Sequence, residues 1–428
     1  MSDICRKFAL VMLAMLVASC AAPATTLSPI ATTIATPVAP VISDTPESLP
    51  PVSIVRYPMP ADFSGFKVFT QPPVYDPKSA ELWQMDLRSS DLTKLDLSKS
   101  TSDLLFADFD SKTKWPPSEQ MPVDFDWKKI MERNKDPGLG IRVLHDQGIT
   151  GRGVAIAMID QTLLVDHIEY KDRIRVYEEA KDINPDWLVS RMHGAAVASI
   201  VVGETTGVAP EADLYFIATG ICSEGTYETN DFACLAQSIR RIIEINKSLP
   251  AEHKIRVLSI SVGWGPESKG YKEVMAALKE AEAANIFVLN TSLFHTHGLN
   301  FHGLGRNPLS DPNDFWSYQP GMWWQDYFYQ EGFSSPTLLV PMDSRTTASP
   351  TGAEDYVFYR QGGWSWAIPY LAGMYTLAVQ VKPDITPEEF WDTALNTGKT
   401  IHVAHNGKDY QFGVILDPQA LIEAIDSK

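Results

Sequence analysis

The sequence of 428 residues lacks an excess of basic side chains. It holds 36 Lys and Arg against 53 Asp and Glu, which gives a formal net charge of -17 at pH 7. A nucleic-acid-binding protein needs a basic face to neutralise phosphates. The charge balance therefore argues against a nucleic-acid partner, although it does not identify a substrate.

The N-terminus lacks an apolar run long enough to span a membrane. The run at residues 8–18 is shorter than the roughly 20 residues that a spanning helix requires. Two basic residues, Arg6 and Lys7, precede it. A basic start followed by a short apolar run is typical of an export signal.

The end of this run resembles a bacterial lipoprotein signal, because small residues lead directly into Cys20. This resemblance implies that residues 1–19 are a signal peptide and that Cys20 is the lipidated first residue of the mature chain. Two acyl chains give stable anchoring, so the protein is expected outside the cytoplasm, held to a bacterial cell membrane. The alternative is an ordinary secretory signal that is cut near Ala22 or Ala24.

Cysteine is scarce, with four residues in the whole chain. Cys5 leaves with the signal peptide and Cys20 is the lipidation site, which leaves Cys222 and Cys234. In an exported protein these two residues are candidates for a disulfide, and two free thiols are the alternative. A zinc site is less favoured, since no second Cys pair accompanies them.

The composition changes twice before the main domain begins. Residues 20–52 consist almost entirely of Ala, Thr, Pro, Ser and Val, which cannot bury a core, so we expect an extended, disordered tether. Residues 53–135 contain aromatic residues but no strong period. We interpret them as a lead-in segment that packs on the main domain, with a removable propeptide as the alternative.

Residues 136–428 alternate apolar strand-like runs with helix-like runs. Predicted strands lie at 153–160, 212–217, 255–262, 286–290 and 411–415. Predicted helices lie at 193–202, 231–245, 271–284, 365–381, 386–395 and 418–425. Such alternation predicts an α/β fold with a mostly parallel sheet and helices on both faces. The stretch 294–360 is rich in Trp, Tyr, Gly and Pro, and we expect it to form loops around a site.

An acid, a base and a hydroxyl occupy equivalent places in this pattern. Asp160 ends the first predicted strand, His193 begins a small-residue helix, and Ser365 follows a glycine turn at the start of a buried helix. In open α/β sheets, functional residues lie at the carboxyl ends of strands and at the neighbouring helix N-termini. A Ser becomes a good nucleophile when a His accepts its proton and a carboxylate orients that His.

Each of the three residues also has a structural interpretation. Asp160 could form a turn at the strand end, His193 could cap its helix, and Ser365 could be an N-cap. Asp166 and His167 are an alternative acid–base pair, although they lie in an irregular polar segment with no apolar helix behind it.

Five segments together resemble subtilisin-like serine proteases. They are Gly-Arg-Gly-Val-Ala-Ile-Ala-Met-Ile-Asp at 151–160, His-Gly-Ala-Ala-Val-Ala-Ser at 193–199, Gly-Val-Ala-Pro-Glu-Ala at 207–212, Leu-Ser-Ile-Ser-Val-Gly at 258–263 and Gly-Trp-Ser-Trp-Ala-Ile-Pro at 363–369. The order Asp, His, Ser is that family's order. The resemblance implies a three-layer subtilisin-like peptidase domain over residues 136–428. It also implies that Ser365 is the nucleophile, that His193 is the general base and that Asp160 orients His193.

The same resemblance implies a polypeptide substrate. Ser261, Val262 and Gly263 would pair with the substrate backbone as an added strand. The triad chemistry requires no cofactor or metal, and the sequence does not place a structural calcium ion. Oligomeric state is not readable either.

The chain departs from the family around the nucleophile. Trp364 replaces the usual Thr before it, and Trp366 replaces the usual Met after it. Trp264 is expected to narrow the cleft, and the two Trp beside Ser365 could fill it.

The oxyanion-hole Asn of the family has no obvious counterpart. The strand 286–290 is followed by Thr291, Ser292 and Leu293 without the usual Gly-Asn. Alignment by position puts Ser292 or Leu293 where that Asn belongs, and Asn290, Thr291 or Ser292 could donate instead. Loss of one such donor costs about 10² to 10³ in turnover, so the sequence predicts a slow or differently built enzyme.

Three histidines follow in the next loop, at His295, His297 and His302. Cys or carboxylate partners are not obvious nearby, so we interpret them as solvated loop residues and predict no metal site.

These observations favour a membrane-tethered serine endopeptidase. The alternative is a catalytically weak or inactive peptide-binding protein on a protease fold. An esterase with the same triad is a third hypothesis, which the sequence does not separate from the first.

Overall fold

The structure of the protein is a computed structural model. It describes residues 50–427 apart from 66, 80–83, 182, 184–187, 221–230 and 334. The expected signal peptide, most of the expected tether, Cys20 and Cys222 therefore lie outside the described residues.

The central sheet has six parallel strands among the described residues. Side by side they are β1 (Ser53–Ile54), β4 (Ile174–Glu179), β5 (Asp213–Ala218), β3 (Ala155–Asp160), β6 (Ile255–Ile260) and β7 (Phe287–Asn290). All residues of β3 and β5 are buried, which explains their continuous apolar runs. Asp160 pairs in register with Ala218, so it lies at the carboxyl edge of the sheet.

Eleven α-helices lie in the described residues. They are α1 (Thr101–Leu104), α2 (Trp127–Arg133), α3 (Ile141–Asp146), α4 (Met192–Val202), α5 (Phe232–Ser248), α6 (Tyr271–Ala283), α7 (Leu293–His297), α8 (Gln325–Glu331), α9 (Trp364–Val381), α10 (Pro387–Thr397) and α11 (Pro418–Asp426). Short 3₁₀ helices occupy Ser118–Gln120, Ala251–His253 and Phe315–Ser317. Side chains of Asp126, Asp231, Thr386 and Asp417 cap α2, α5, α10 and α11 by accepting backbone N–H bonds.

Alternate residues of β3 enter two separate cores, one on each face of the sheet. Ala155, Ala157 and Ile159 pack with the apolar sides of α5 and α6. Ile156 and Met158 pack with α4 and α9. Because a strand's side chains alternate between faces, this arrangement places helices on both sides of a parallel sheet. The predicted three-layer α/β fold is confirmed.

The stretch 294–360 contributes strands to two further sheets that also contain strands from elsewhere in the chain, so the expectation of loops there was wrong. The first sheet contains β13 (Lys399–His405), β14 (Lys408–Ile415), β10 (Leu338–Pro341), β8 (Phe301–Arg306) and β9 (Tyr318–Pro320). The second contains β11 (Arg345–Ala348), β12 (Tyr356–Tyr359) and β2 (Phe109–Asp110). Most of these strands are only three to six residues long, and β10 and β11 are buried throughout. Short runs interrupted by Gly and Trp give no clear period.

The N-terminal segment is joined to the main domain by strand pairing. β1 pairs with β4 at the edge of the central sheet, and β2 pairs with β12. Phe109 is fully buried against Phe358 and the surrounding aromatic cluster. The Asp108 carboxylate accepts a bond from Arg360 N at 2.7 Å. Through these contacts the N-terminal segment packs on the chain that leads to Ser365.

Within the part of the chain that the structure describes, we find no helix of the length and apolar character that crossing a membrane would require.

Candidate active site

Asp160 is the last residue of β3, and its carboxylate is directed toward α4. Its side chain is only 6% exposed. Oδ1 accepts a bond from Gln161 N at 2.8 Å and is 2.7 Å from His193 Nδ1. The strand end therefore supplies a buried carboxylate that fixes the orientation of an imidazole.

His193 is the second residue of α4, and the following glycine allows its close approach to the sheet. A Cβ at Gly194 would lie 2.4 Å from Gln161 O, which real side chains do not tolerate. The His-Gly pair thus lets the helix start pack directly against the end of β3. With Nδ1 bound to Asp160, Nε2 is the nitrogen left to accept a proton. The structure places His193 and Asp160 in direct contact, and their catalytic roles stay a prediction.

The pKa of His193 lies above its ordinary value. Burial alone would lower the pKa, but the charge of Asp160 and its hydrogen bond outweigh that effect. The negative carboxylate stabilises the imidazolium, as a general base requires after it has taken a proton.

Ser365 is the second residue of α9 and lies two residues after a glycine in a conformation that other residues avoid. Gly363, the N-cap, has φ 82° and ψ 165°. The turn places Ser365 where its backbone N–H has no acceptor within the helix. That N–H is available to a negative oxygen near the Ser365 hydroxyl.

Ser365 exchanges hydrogen bonds with Ser261 in this structure. Ser365 Oγ donates to Ser261 O at 3.0 Å, and Ser261 Oγ donates to Ser365 O at 2.9 Å. Ser365 and His193 share no hydrogen bond within the described chain. Trp366 nevertheless joins the two elements, because its ring lies edge-on to His193 with centroids 5.5 Å apart.

The predicted substrate strand, Ser261 to Gly263, follows the end of β6. One side of it is bound to the turn after β7. Thr291 N donates to Val262 O at 3.2 Å, and Trp264 N donates to Ser292 Oγ at 2.9 Å. Its role toward a substrate stays a prediction.

The two candidate oxyanion donors have partners within their own turn. Asn290 is fully buried, and its Oδ1 accepts from Ser292 N at 2.9 Å while its Nδ2 donates to Thr296 Oγ1 at 3.1 Å. The Ser292 hydroxyl accepts the Trp264 N–H bond. Leu293 is buried at the start of α7. The assignment of an oxyanion donor to Asn290 or Ser292 stays a prediction, and the geometry gives both residues a structural task.

The tryptophans near the site divide between core and surface. Trp264 is 3% exposed and packs on Phe232, so the expectation that it narrows the cleft was wrong. Trp366 is also buried, against His193 and Tyr359. Trp364 is 42% exposed. Of the two Trp that flank Ser365, only the preceding one is placed to meet a ligand.

The alternative acid–base pair has a structural role. His167 is fully buried; its Nδ1 accepts from Glu169 N at 3.2 Å, and its Nε2 donates to Asp355 O at 2.8 Å. Both ring nitrogens are therefore used by the backbone, and burial lowers the pKa of His167. It has no nitrogen left to serve as a base.

The three histidines predicted as solvated loop residues lie in regular elements, so that prediction was wrong, and His302 packs on Trp364 beside Ser365. His295 and His297 are in α7, and His302 is in β8. The described residues contain no group of three or more His, Cys, Asp or Glu that could hold a metal. Cys234 takes part in a disulfide, but Cys222 lies outside the described residues, so their pairing stays a prediction.

Asp343 is a site residue that the sequence analysis missed. It is 1% exposed, its Oδ1 accepts from Gly362 N at 2.9 Å, and its Oδ2 accepts from Met322 N at 2.9 Å. It thereby holds the glycine turn before Ser365. Asp343 follows the apolar run Leu338–Pro341, much as Asp160 ends its own strand, and that position could have revealed it.

Comparison with known proteins identifies part of the chain. Residues 151–297 match the model of the subtilase family, peptidase S8. The match includes the Asp160–His193 pair and ends before Ser365.

Individual relatives are distant. Serine protease AprX of Bacillus subtilis is 23% identical over 288 residues, which are 58% of this chain and 61% of that protein. Subtilisin-like protease PopC of Myxococcus xanthus is 34% identical over 109 residues, 22% of each chain. The chain thus spans less than two thirds of the length of both relatives. A solved protease structure from Pseudoalteromonas arctica overlays with a TM-score of 0.48 at 18% identity, over 69% of this chain and 97% of that one.

Proposed function

We propose that the protein is a serine endopeptidase that hydrolyses peptide bonds through Asp160, His193 and Ser365. The observation that carries this proposal is the 2.7 Å contact between His193 Nδ1 and the buried Asp160 carboxylate, beside a glycine turn that presents a Ser at a helix N-terminus. The subtilase match over the Asp and His segments and the names of two protease relatives support it.

The reaction begins when the Ser365 hydroxyl turns from Ser261 O toward His193. His193 Nε2 takes the proton while Ser365 Oγ forms a bond to the substrate carbonyl carbon. The carbonyl oxygen becomes negative, and the Ser365 N–H stabilises it. When the C–N bond breaks, His193 returns the proton to the leaving amine. Water then releases the acyl group by the same route. Hydrogen bonds of apo sites commonly tighten when substrate binds.

Labelling of the full-length protein with a fluorophosphonate tests the nucleophile. The protein is kept in detergent, and peptide mapping by mass spectrometry locates the adduct. We expect the label on Ser365, with loss of casein hydrolysis. A folded protein that remains unlabelled and inactive would contradict the proposal. Its affinity for peptides would then be measured to test the peptide-binding alternative. A small ester assayed beside casein separates a peptidase from an esterase.

We also propose that the enzyme acts outside the cytoplasm, tethered through a lipid on Cys20. The motivation is the small-residue sequence before Cys20, which lies outside the described residues. Intact-mass analysis of the exported protein tests it. We expect the mature chain to start at a diacylated Cys20 and Cys20→Ala to abolish membrane retention; a mature mass without lipid would contradict this.

A further inference from the structure

Two exposed tryptophans border the turn that carries Ser365. Trp364 immediately precedes Ser365 and is 42% exposed, and Trp323 is 41% exposed. A Cβ placed at Gly363 would lie 3.8 Å from Trp323 Nε1, so the second indole borders the same glycine turn. Large apolar side chains are usually exposed singly, whereas paired exposure beside a reactive group indicates a binding surface.

One buried carboxylate fixes the backbone of both tryptophan segments. Asp343 accepts from Met322 N, next to Trp323, and from Gly362 N, two residues before Trp364, both at 2.9 Å. The Trp323 segment is held further by Trp324, whose Nε1 donates to Gly303 O at 2.7 Å. The two indoles are therefore mounted on a preorganised backbone, which lowers the entropy cost of binding a ligand.

The imidazole next to Trp364 is neutral, and the carboxylate that holds the glycine turn is buried. Trp364 packs on His302 with ring centroids 5.8 Å apart, and burial lowers the pKa of His302 to about 4, so this ring is neutral at pH 7. The Asp343 carboxylate is buried and occupied by backbone donors. An aromatic or large aliphatic side chain gains from contact with such a surface, whereas a charged side chain does not.

We propose that Trp323 and Trp364 form a subsite, the tryptophan subsite, for a large apolar residue of a polypeptide, with aromatic residues preferred. Its position beside Ser365 places that residue next to the attacked bond. This inference rests on the proposed peptidase function and adds the substrate class to it.

Matched peptides test the preference. Each quenched fluorescent peptide carries Phe, Leu, Ala or Glu at a single varied position. That position lies before the cleaved bond in one series and after it in a second series, and mass spectrometry locates the cut. We expect kcat/KM for the Phe peptide to exceed that for the Ala peptide by about 10- to 100-fold, the range for burying one aromatic side chain. Trp364→Ala and Trp323→Ala should each reduce this ratio toward one. Trp364→Phe, which keeps an aromatic surface, should retain part of it.

Trp316→Ala is the matched control. Trp316 is 68% exposed in the 3₁₀ helix Phe315–Ser317 and is not part of the tryptophan subsite. It should keep the full preference. Equal ratios in the native protein and in both Trp variants would overturn the tryptophan subsite. Vesicle binding is measured for the native protein and all variants with phosphatidylglycerol vesicles. Binding that requires both indoles, without any peptide preference, would identify the pair as a membrane contact and would also overturn the tryptophan subsite.

A binding measurement separates this inference from the peptidase proposal. Fluorescence anisotropy records the affinity of Ser365→Ala for the Phe and Ala peptides. If the native protein shows no turnover, a preference of Ser365→Ala for the Phe peptide that the added Trp364→Ala substitution removes would support the subsite and contradict the peptidase. Turnover without any such preference would support the peptidase and contradict the subsite.

Discussion

Asp160 lies at the end of β3 in the central sheet, and His193 lies in α4, which packs against that sheet. Ser365, by contrast, follows β12, a strand that pairs with the N-terminal segment. We call the first pair the base half of the site. The nucleophile half comprises Ser365, Ser261 and the turn at 290–292. The base half is already joined by a 2.7 Å contact, while the Ser365 hydroxyl donates to Ser261 O.

The two halves differ in how closely their hydrogen bonds match the triad chemistry predicted from the sequence. In the base half, the Asp160 carboxylate binds His193 Nδ1 and Gln161 N, and His193 Nε2 is the nitrogen left to accept a proton. In the nucleophile half, Asn290 binds Ser292 N and Thr296, and the Ser292 hydroxyl accepts from Trp264 N. The Ser365 N–H is the donor that the helix start provides. We therefore expect substitutions in the two halves to affect turnover and stability differently.

The largest effect should follow from Ser365→Ala. The nucleophile is lost, so kcat for peptide hydrolysis should fall by about 10⁶. Initial rates with a fluorescent peptide measure it, and circular dichroism checks folding. Ser118→Ala, at an exposed serine, should keep full activity. Turnover that survives Ser365→Ala would place the nucleophile elsewhere.

Asp160→Asn should lower kcat by about 10⁴, because the imidazole loses the group that fixes its tautomer. Asp160 holds the pKa of His193 above its ordinary 6.5, so native activity should decline as the pH falls through a value above 6.5, and this decline should move to lower pH in the variant. Rate–pH profiles measure both effects. Asp166→Asn is the control and tests the alternative acid. A large loss there with little loss at Asp160 would reverse the assignment.

Phe109→Ala tests how strongly the nucleophile half depends on the N-terminal segment. Phe109 is fully buried beside Phe358 of β12, so the substitution should lower the free energy of unfolding by about 3 to 5 kcal/mol. Urea denaturation measures this. Val123→Ala, at a fully exposed residue, should change stability little. An active chain that survives removal of residues up to 135 would instead support a propeptide.

Asn290→Ala separates a structural from a catalytic role in the nucleophile half. It leaves the Ser292 N–H without its acceptor, so we expect a stability loss of about 1 to 3 kcal/mol. We expect kcat per folded molecule to change by less than the 10² to 10³ that loss of an oxyanion donor costs. Thr296→Val, which removes the partner of Asn290 Nδ2, should behave similarly. A fall in kcat confined to Asn290→Ala would identify it as the missing donor.

The smallest effect concerns stability as a function of pH. Because the folded-state pKa of His193 is raised, its contribution to stability is fully present below about pH 6.5 and is lost as the pH rises through the folded pKa. Activity should rise over the same interval, since the neutral ring is the base. Urea titrations from pH 5.5 to 8.5 should show this slope in the native protein and lose it in Asp160→Asn. Equal slopes in the two proteins would show that the Asp160–His193 pair does not cause the pH dependence of stability.

The base half could be predicted from the sequence because its signals are local. Asp160 ends a fully buried strand, and Gly194 follows His193 at the start of a helix of small residues. Continuous apolar runs identify buried parallel strands, and strand ends identify the site edge. The nucleophile turn was visible for the same reason, through Gly363.

The other strands were missed for separate physical reasons. β4 alternates charged and apolar residues at a partly exposed position, so no continuous run marks it. The hairpin of β13 and β14 carries a usable signal, Asn406-Gly407 at its tip, which the prediction overlooked. The pairing of β2 with β12 joins segments far apart in sequence, and no local pattern encodes it. Trp264 was misplaced because an indole suits a core as well as a cleft.

The pairing of the N-terminal segment with β12 also constrains the order of events during synthesis. Arg88 Nη1 donates to Tyr359 Oη across 271 residues, and Asp108 meets Arg360 across 252 residues. Contacts of such separation close late and slow folding. The aromatic cluster around Phe109 includes Phe358, so it is complete only after β12 has been synthesised. The turn that carries Ser365 follows β12, and we expect it to reach its final position late in folding.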